Sequence, residues 1–472
     1  MNPTAAPSAL ASPWIPGPAA LLAAAGFAVF ALLTHQPLTS LLGLAVLLLI
    51  LRLTWRSGEP PVMAFVLGFQ WLQAALLTLY ADVSGARLNA LASYSCADVD
   101  TATLYSLLGV AAVAIGARIG TGAQAAPVAS VPVAERALWL YVVSFVAGLL
   151  LQTLASGGLR QPMLALASVH WAGYYLLAWT VLRLRRHYLW LVIATLLEFG
   201  LGFSGFFSSF KTPLFVLAIA MSAAHIRLRP GALIALISVV VFTMTVGIYW
   251  QSTKDQYRNY INRGSQQQVV LVPFNERMNY LADLFANVDV PQFASGAESL
   301  VQRIAYVDFF GCVINRVPRQ LPHEDGALWQ QAIAHAAVPR LLNPEKAVLL
   351  SDSELTSRYT GLGLASDAEG TSISMGYMAE SYIDFGPWGM LLPLLAVGYL
   401  LGRGYRHCVQ RQQAALGQAA AVALLIGFYA LEINNTKLLG GYLVTLLALA
   451  LTLRVAGVAL ESWLLARRPG PP

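Results

Sequence analysis

Residues 376–406 read GYMAESYIDFGPWGMLLPLLAVGYLLGRGYR. Three polar side chains open the stretch, Glu380, Tyr382 and Asp384, and two arginines lie near its end. Between them runs an apolar segment wide enough to cross a bilayer. This arrangement predicts a membrane-spanning helix whose arginine end lies in the cytoplasm.

The rest of the chain has the same apolar character. Of its 472 residues, 57% are hydrophobic and 11% are charged, and the mean hydropathy is +0.62. Soluble domains contain about 25% charged residues, so the composition predicts a polytopic membrane protein. No basic region precedes the first apolar run, and we expect that run to remain as a helix rather than to be cleaved as a signal peptide.

Segments of roughly 20 mostly apolar residues mark the predicted membrane spans. Twelve are found, at about 16–34, 37–54, 61–81, 102–119, 136–155, 161–182, 188–206, 211–226, 230–251, 384–402, 413–431 and 438–455. We therefore expect an all-α polytopic fold in three parts. These are an N-terminal bundle of about nine membrane helices (1–251), a helical polar segment (252–375) and about three C-terminal membrane helices (376–472).

Arginine and lysine are distributed unequally between the short loops. One set of alternate loops, with the tail, contains fifteen of them, whereas the other set contains four: Arg87, Arg160, Lys211 and Lys437. The positive-inside rule assigns the richer set to the cytoplasm. Both termini are then cytoplasmic, and the polar segment lies outside, in the periplasm of a Gram-negative cell. The fifteen are Arg52, Arg56, Arg118, Arg136, Arg183, Arg185, Arg186, Arg227, Arg229, Arg403, Arg406, Arg411, Arg454, Arg467 and Arg468.

The polar segment contains ten basic and thirteen acidic residues, which argues against binding of nucleic acid. Apolar residues recur at helical spacing in 273–288, 298–317 and 324–342, and they predict three amphipathic helices. Such helices would form a lid or platform over the outer ends of the membrane helices. Their apolar faces could rest on the lipid surface or pack against the ends of the spans.

Three cysteines are present, and two of them fall on the predicted outer side. Cys96 and Cys312 could form a disulfide there, or remain as two buried thiols, while Cys408 lies on the opposite side. No His/Cys cluster has metal-ligand spacing, and no nucleotide-binding glycine motif occurs. We expect no metal and no cofactor.

Two further motifs are similar to a known family. Residues 321–346, LPHEDGALWQQAIAHAAVPRLLNPEK, contain a Pro-Arg…Pro-x-Lys element. A Glu-Ala/Ser-Tyr-x-x-Phe-Gly-x-x-Gly pattern follows within 371–402, and a Ser/Gly-rich element with a lysine precedes both in 202–224. Together they resemble bacterial O-antigen and exopolysaccharide repeat-unit polymerases, which are related to O-antigen ligases.

The resemblance implies a fold and an activity. The fold would be GT-C-like, and the reaction a metal-independent glycosyl transfer. The growing glycan would leave its undecaprenyl diphosphate and join a fresh lipid-linked repeat unit at the outer face of the inner membrane. The implied partners are undecaprenyl diphosphate-linked oligosaccharide, the lipid bilayer and a chain-length regulator protein.

Such a transfer needs cations for the leaving diphosphate and a base for the attacking hydroxyl. Arg340 and Lys346 lie in the family-like element and rank first among the cations. Glu380 and His323 are the predicted acid–base residues, and Tyr382 and Asp384 are predicted to contact substrate. The remaining candidate cations are Lys211, Arg258, Arg263, Arg277, Arg303, Arg316, Arg319 and Arg358.

Each of these side chains also has a structural interpretation. An external arginine can form a surface ion pair, and Lys211 can extend to the membrane interface. Glu380 and Asp384 are four residues apart, so they share a helix face and can stabilise a helix N-terminus. His323 can be a solvated loop residue.

Two ionisable residues, His170 and Glu198, interrupt long apolar runs. Such residues within membrane segments usually have a function, although each could be neutral and hydrogen-bonded to a neighbouring helix.

Other functions remain open from the sequence. An O-antigen ligase would transfer finished glycan to lipid A-core. A transporter or flippase would be expected to show internal repeats, which we do not find. An intramembrane protease would need a nucleophile near a histidine and an arginine.

Overall fold

The computed structural model describes residues 17–155, 160–204, 211–224, 230–265, 270–338, 349–364 and 372–466. Within these ranges the chain forms nineteen α-helices and no β-strand, so the all-α prediction is confirmed. The helices are α1 (Pro18–Ala31), α2 (Pro37–Thr54), α3 (Val62–Ser84), α4 (Val99–Thr121), α5 (Ala134–Leu154), α6 (Arg160–Ala167), α7 (His170–Leu184), α8 (Tyr188–Ser204), α9 (Lys211–Ala223), α10 (Pro230–Ile261), α11 (Phe274–Ala286), α12 (Val290–Ile304), α13 (Asp308–Arg316), α14 (Ala327–Ala337), α15 (Asp352–Thr360), α16 (Tyr377–Gly389), α17 (Leu391–Val409), α18 (Ala414–Leu425) and α19 (Asn435–Leu465).

Five of the described helices are long and apolar enough to cross a membrane: α2, α3, α4, α5 and α19. The bent pair α16–α17 raises the number to six, and α1, α8, α9 and α18 are shorter apolar helices. The described residues therefore support a multi-pass helical membrane protein, with fewer full-length spans than the twelve predicted. One reason is a helix break, which divides predicted span 161–182 into α6 and α7.

Glycine brings α4 and α17 into direct backbone contact. A Cβ atom at Gly116 or Gly120 would overlap a carbonyl oxygen of α17, and one at Gly398 or Gly402 would overlap a carbonyl oxygen of α4. Both helices carry the glycine pairs four residues apart, on one face. This is the small-residue packing typical of membrane helices, where close approach maximises van der Waals contact.

A sharp bend separates α16 from α17. The direction of the helix axis changes by 119° from α16 to α17. Within α16, Gly386 has φ +69°, and Pro387 follows it. The left-handed φ suits glycine, and proline cannot donate a backbone hydrogen bond, so a straight helix cannot continue here. The apolar helix therefore begins at Leu391 rather than at residue 384, and most of α16 is a buried helix lying across its end.

The polar segment packs as helices against the ends of the membrane helices. α11 and α14 correspond to two of the predicted amphipathic helices, whereas the predicted helix 298–317 is divided into α12 and α13 by residues 305–307. α12 packs on α10, α13 on α4 and α15, and α14 on α16 and α19. Among the described residues, their apolar faces thus contact other helices.

Candidate functional site

Helix α13 is fastened to the loop that precedes α4. Cys96 and Cys312 form a disulfide, as the sequence allowed, and Asn315 Nδ2 donates to Cys96 O at 2.8 Å. One turn earlier, the buried Asp308 carboxylate accepts from the backbone and hydroxyl of Ser93 at 2.9 and 3.1 Å. These contacts along α13 fix the position of its last residue, Arg316.

The Arg316 guanidinium is half-buried and packs directly on Gly361, where a Cβ atom would overlap Nη1. Gly361 ends α15 with φ +77°, a conformation that favours glycine. The Nε atom of Arg316 is buried without a hydrogen-bond partner. No carboxylate of the described part of the chain forms an ion pair with this guanidinium.

A cavity of about 530 Å³ adjoins this guanidinium. Two cations and one carboxylate line it, together with a hydroxyl and two apolar side chains. Its lining residues are Arg316, Leu321, Glu354, Ser357, Arg358 and Leu364. The excess of positive charge makes the cavity suited to an anionic ligand.

Glu354, the lining carboxylate, is engaged in capping its own helix. It accepts from the Ser351 backbone at 2.9 Å, and the Ser351 hydroxyl accepts from the Glu354 amide. This reciprocal capping box starts α15. The hydrogen bonds from Ser351 lower the pKa of Glu354, so it is an anion at neutral pH and a poor proton acceptor.

Glu324 lies beside the cavity and connects two residues of α15. Its Oε1 accepts from the buried Tyr359 hydroxyl at 2.6 Å and lies 4.0 Å from Arg358 Nη2. Burial, followed by the bond to Glu324, raises the pKa of Tyr359 well above its ordinary value. Tyr359 is therefore a neutral hydroxyl that donates to Glu324 and leaves Arg358, more than half exposed, facing the cavity.

The neighbouring His323 has a defined tautomer. Its Nδ1 lies 3.1 Å from the carbonyl oxygen of Ile383, which can only accept, so Nδ1 carries the hydrogen. Nε2 then has a lone pair and can accept a proton. His323 itself is not part of the cavity lining, and its Nε2 lies against Gly386, where a Cβ atom would be 3.3 Å away.

Glu380 and Asp384 lie on α16 and contact the starts of two other helices. Glu380 Oε2 accepts from the Asn435 amide, in the first turn of α19, at 2.8 Å. Asp384 accepts from the amides of Leu328 and Trp329, in the first turn of α14, at 3.1 and 2.8 Å. Both carboxylates are buried, and neither lines the cavity. Their observed role is to accept hydrogen bonds from the backbone at helix starts, a contact worth about 1 kcal/mol each.

Tyr382 does not present an open ring face to a sugar. It is buried, with Tyr105 stacked at 6.0 Å, Phe310 edge-on at 5.5 Å and His323 at 5.7 Å between ring centroids. Its hydroxyl donates to Val317 O at 3.2 Å. Tyr382 therefore supports the segment that follows Arg316 rather than lining the cavity.

Several predicted cations lie away from the cavity. Arg303 forms an ion pair with Glu432 at 2.8 Å, and exposed Arg319 donates to Asn315 Oδ1 at 3.3 Å. The Arg303 contact matches the structural alternative of a surface ion pair, whereas the partner of Arg319 is a neutral amide.

Lys211 and three arginines occupy other elements. Lys211 Nζ lies 5.0 Å from the Tyr429 ring centroid, a cation–π contact at the start of α9. Arg258 is on α10, Arg263 is exposed in the turn after it, and Arg277 is on α11. Lys211 and these arginines are not part of the cavity lining.

The two cations ranked first, Arg340 and Lys346, lie outside the described residues. The structure instead points to Arg316, which the sequence offered only as one candidate among many. No local signal distinguishes it, because its special feature is that no carboxylate in the described ranges pairs with it in three dimensions. Among the described residues, no group of three or more His, Cys, Asp or Glu side chains could hold a metal ion.

His170 and Glu198, flagged for their positions in apolar runs, are brought together. Their side chains are buried, and His170 Nε2 lies 3.8 Å from Glu198 Oε2. They lie apart from the cavity lining.

Comparison with known proteins yields one match. The sequence profile of a family described as "Domain of unknown function (DUF8712)" matches residues 78–403. The match covers more than half of the chain and includes the cavity, the disulfide and the α16–α17 bend. No curated protein and no solved structure matches the chain significantly.

Proposed function

The chain belongs to the DUF8712 family, and we propose that it is a membrane glycosyltransferase that polymerises lipid-linked oligosaccharides. It joins undecaprenyl diphosphate-linked repeat units into O-antigen or exopolysaccharide at the periplasmic face of the inner membrane. The proposal combines the resemblance of residues 321–402 to repeat-unit polymerases with the basic cavity next to the bent helix α16–α17.

The Arg316 guanidinium, which has no ionic partner among the described residues, is the observation that carries the proposal. Burying part of a guanidinium without a partner costs free energy, and an anion in the cavity would offset that cost. Arginine binds phosphate oxygens through two parallel hydrogen bonds. Arg316 and Arg358 together therefore supply a site for a diphosphate, and the cavity volume of about 530 Å³ leaves room for the attached sugar.

In the proposed reaction, a hydroxyl at the non-reducing end of the incoming repeat unit attacks the anomeric carbon of the growing chain. A carbon–oxygen bond to the new sugar forms, and the bond to the diphosphate breaks. Arg316 and Arg358 stabilise the charge that develops on the leaving diphosphate. His323 and Glu324 lie beside the cavity rather than in its lining, and we assign the role of proton acceptor to His323 Nε2, with Glu324 as the second candidate.

The proposed architecture includes an outward-facing cavity, cytoplasmic termini and a GT-C-like arrangement of about twelve spans. The excess of arginine in alternate loops supports this orientation. The Cys96–Cys312 disulfide also supports it, because disulfides persist on the oxidising side of the membrane.

Replacing Arg316 by alanine tests the proposal, with Arg319→Ala as a matched control. Arg319 lies one turn away but is exposed and outside the cavity. We expect Arg316→Ala to reduce chain growth about a hundredfold or more, by analogy with loss of other transition-state donors. Chain length is read from lipopolysaccharide and exopolysaccharide gels, and membrane insertion from immunoblots. If the Arg316→Ala protein inserts into the membrane and still makes full-length polymer, the cavity does not take part in the reaction.

Deletion of the gene separates polymerase from the alternatives. Loss of a polymerase leaves single repeats on lipid A-core or on the carrier lipid. Long polymer that accumulates on the carrier lipid would indicate a ligase. Carrier-linked repeats retained on the cytoplasmic side would indicate a flippase.

A further inference from the structure

An acid–base pair lies inside the helix bundle, apart from the cavity. His170 begins α7, Glu198 lies within α8, and the two side chains approach to 3.8 Å. Both are more than nine-tenths buried. Ionisable groups in apolar surroundings are costly, which makes them candidates for a function by default.

The break between α6 and α7 determines which nitrogen of His170 carries a hydrogen. The Trp171 amide donates to Ser168 O at 3.2 Å, and the Ala167 carbonyl instead accepts from the imidazole, whose Nδ1 lies 2.7 Å away. Because a carbonyl oxygen only accepts, Nδ1 is protonated. Nε2, which faces Glu198, is therefore the nitrogen that can gain or lose a proton.

Three polar but uncharged side chains lie around the pair in the described part of the bundle. From α5, the Tyr141 hydroxyl donates to Glu198 Oε1 at 3.2 Å. Tyr174 of α7 and Thr195 of α8 hydrogen-bond to each other at 2.8 Å nearby. No other acidic or basic side chain of the described chain forms an ion pair with either residue.

We propose that His170 and Glu198 form a proton-binding site within the bundle and share one proton. The proton moves between Nε2 and the carboxylate, so that an N–H bond breaks as an O–H bond forms. The pair has no net charge in either arrangement. Burial disfavours states with net charge, so Glu198 keeps His170 protonated where an isolated buried imidazole would lose its proton. In turn, His170 allows Glu198 to ionise where an isolated buried carboxyl would stay protonated.

The helix break gives the site a structural consequence. At 3.8 Å the two groups are beyond hydrogen-bond length, and a shift of about 1 Å at the α6–α7 break brings them into contact. The charged arrangement attracts α7 towards α8 more strongly than the neutral one. Movement of the proton is thus coupled to the position of α7.

Infrared difference spectroscopy of the purified protein in lipid nanodiscs tests the sharing. The signal of the protonated carboxyl group is assigned by its loss in Glu198→Gln. In His170→Gln the imidazole no longer takes the proton, and we expect the carboxyl signal to persist to higher pH by about one unit or more. Tyr174→Phe, which removes a neighbouring hydroxyl, should leave the titration unchanged. Identical titrations in the native protein and His170→Gln would overturn the proposal.

If His170→Gln does not fold, the Glu198→Gln variant provides a second test. In Glu198→Gln, nitrogen NMR of labelled histidine should show that Nε2 loses its proton at lower pH than in the native protein. Unchanged titration of His170 would equally reject a shared proton. Neither measurement depends on glycosyltransferase activity.

Discussion

For Glu380 and Asp384, the sequence predicts the helix face that they share but not the residues to which they hydrogen-bond. Four residues apart on α16, they share a face as the sequence predicts. Their hydrogen-bond partners, however, are amides at the starts of α19 and α14. Each carboxylate satisfies backbone donors that a helix end leaves free, and each meets the positive end of a helix dipole.

Replacing Asp384 by asparagine should destabilise the protein by about 1–2 kcal/mol. The amide retains one acceptor oxygen, so the Leu328 and Trp329 amides can no longer both be bonded to carboxylate oxygens. The measurement is the apparent melting temperature in detergent. Asp325→Asn is the control, because Asp325 is exposed and its φ of +48° is tolerated by asparagine. Equal melting of Asp384→Asn and the native protein would contradict the capping role.

At this scale, the sequence predicts which residues are unusual but not what they contact. Polar groups at the edge of an apolar run are visible in a hydropathy profile, and so Glu380, His170 and Glu198 could be selected. Their partners are 55 residues away for Glu380 and 28 for His170. Arg316 could not be ranked, because whether a carboxylate of the described residues lies beside it is decided only by the folded chain.

Helix α17 illustrates how backbone contact replaces side-chain packing at the scale of elements. Its glycines and those of α4 leave no room for a methyl group. Water does not drive membrane helices together as it does soluble ones, so close van der Waals contact is the main source of their association.

Gly398→Ala should separate α4 from α17 and lower the apparent melting temperature by several degrees, since added volume in a packed interface costs about 1–3 kcal/mol. Gly68→Ala on α3 is the matched control, because a Cβ atom there has no neighbour within 4 Å. The same substitution in open space should have little effect or stabilise its helix slightly. A melting temperature for Gly398→Ala equal to that of Gly68→Ala would show that the helices tolerate separation.

Apolar length predicts the existence of membrane helices better than their continuity. The predicted spans that correspond to α2, α3, α4 and α5 agree closely with the structure. The break before His170 and the bend after Gly386 were not predicted. Both positions lie within or beside apolar runs, so hydropathy averaged over a whole span does not mark the change of backbone direction.

At the scale of the whole molecule, the disulfide links the first membrane helices to the polar helices above them. Cys96 and Cys312 are separated by 216 residues in sequence. Cross-linking such distant segments restricts the unfolded chain strongly. It also holds α13, and with it Arg316, against the loop before α4.

Replacing both Cys96 and Cys312 by serine should reduce the free energy of unfolding by about 2–4 kcal/mol. Apparent melting temperature with and without a reductant measures the effect, and the double variant should no longer respond to the reductant. Cys408→Ala, which removes the buried free thiol, should retain the response. Insensitivity of the native protein to reduction would show that the bond contributes no stability.

The glycine contacts between α4 and α17 also have a genetic consequence. Every missense change at a glycine codon introduces an amino acid with a β-carbon, so none of the four positions 116, 120, 398 and 402 has a conservative replacement. In a saturation library selected for membrane expression, these codons should form two depleted pairs separated by nearly three hundred positions. Natural members of the family should therefore vary at the neighbouring positions and keep glycine at these four.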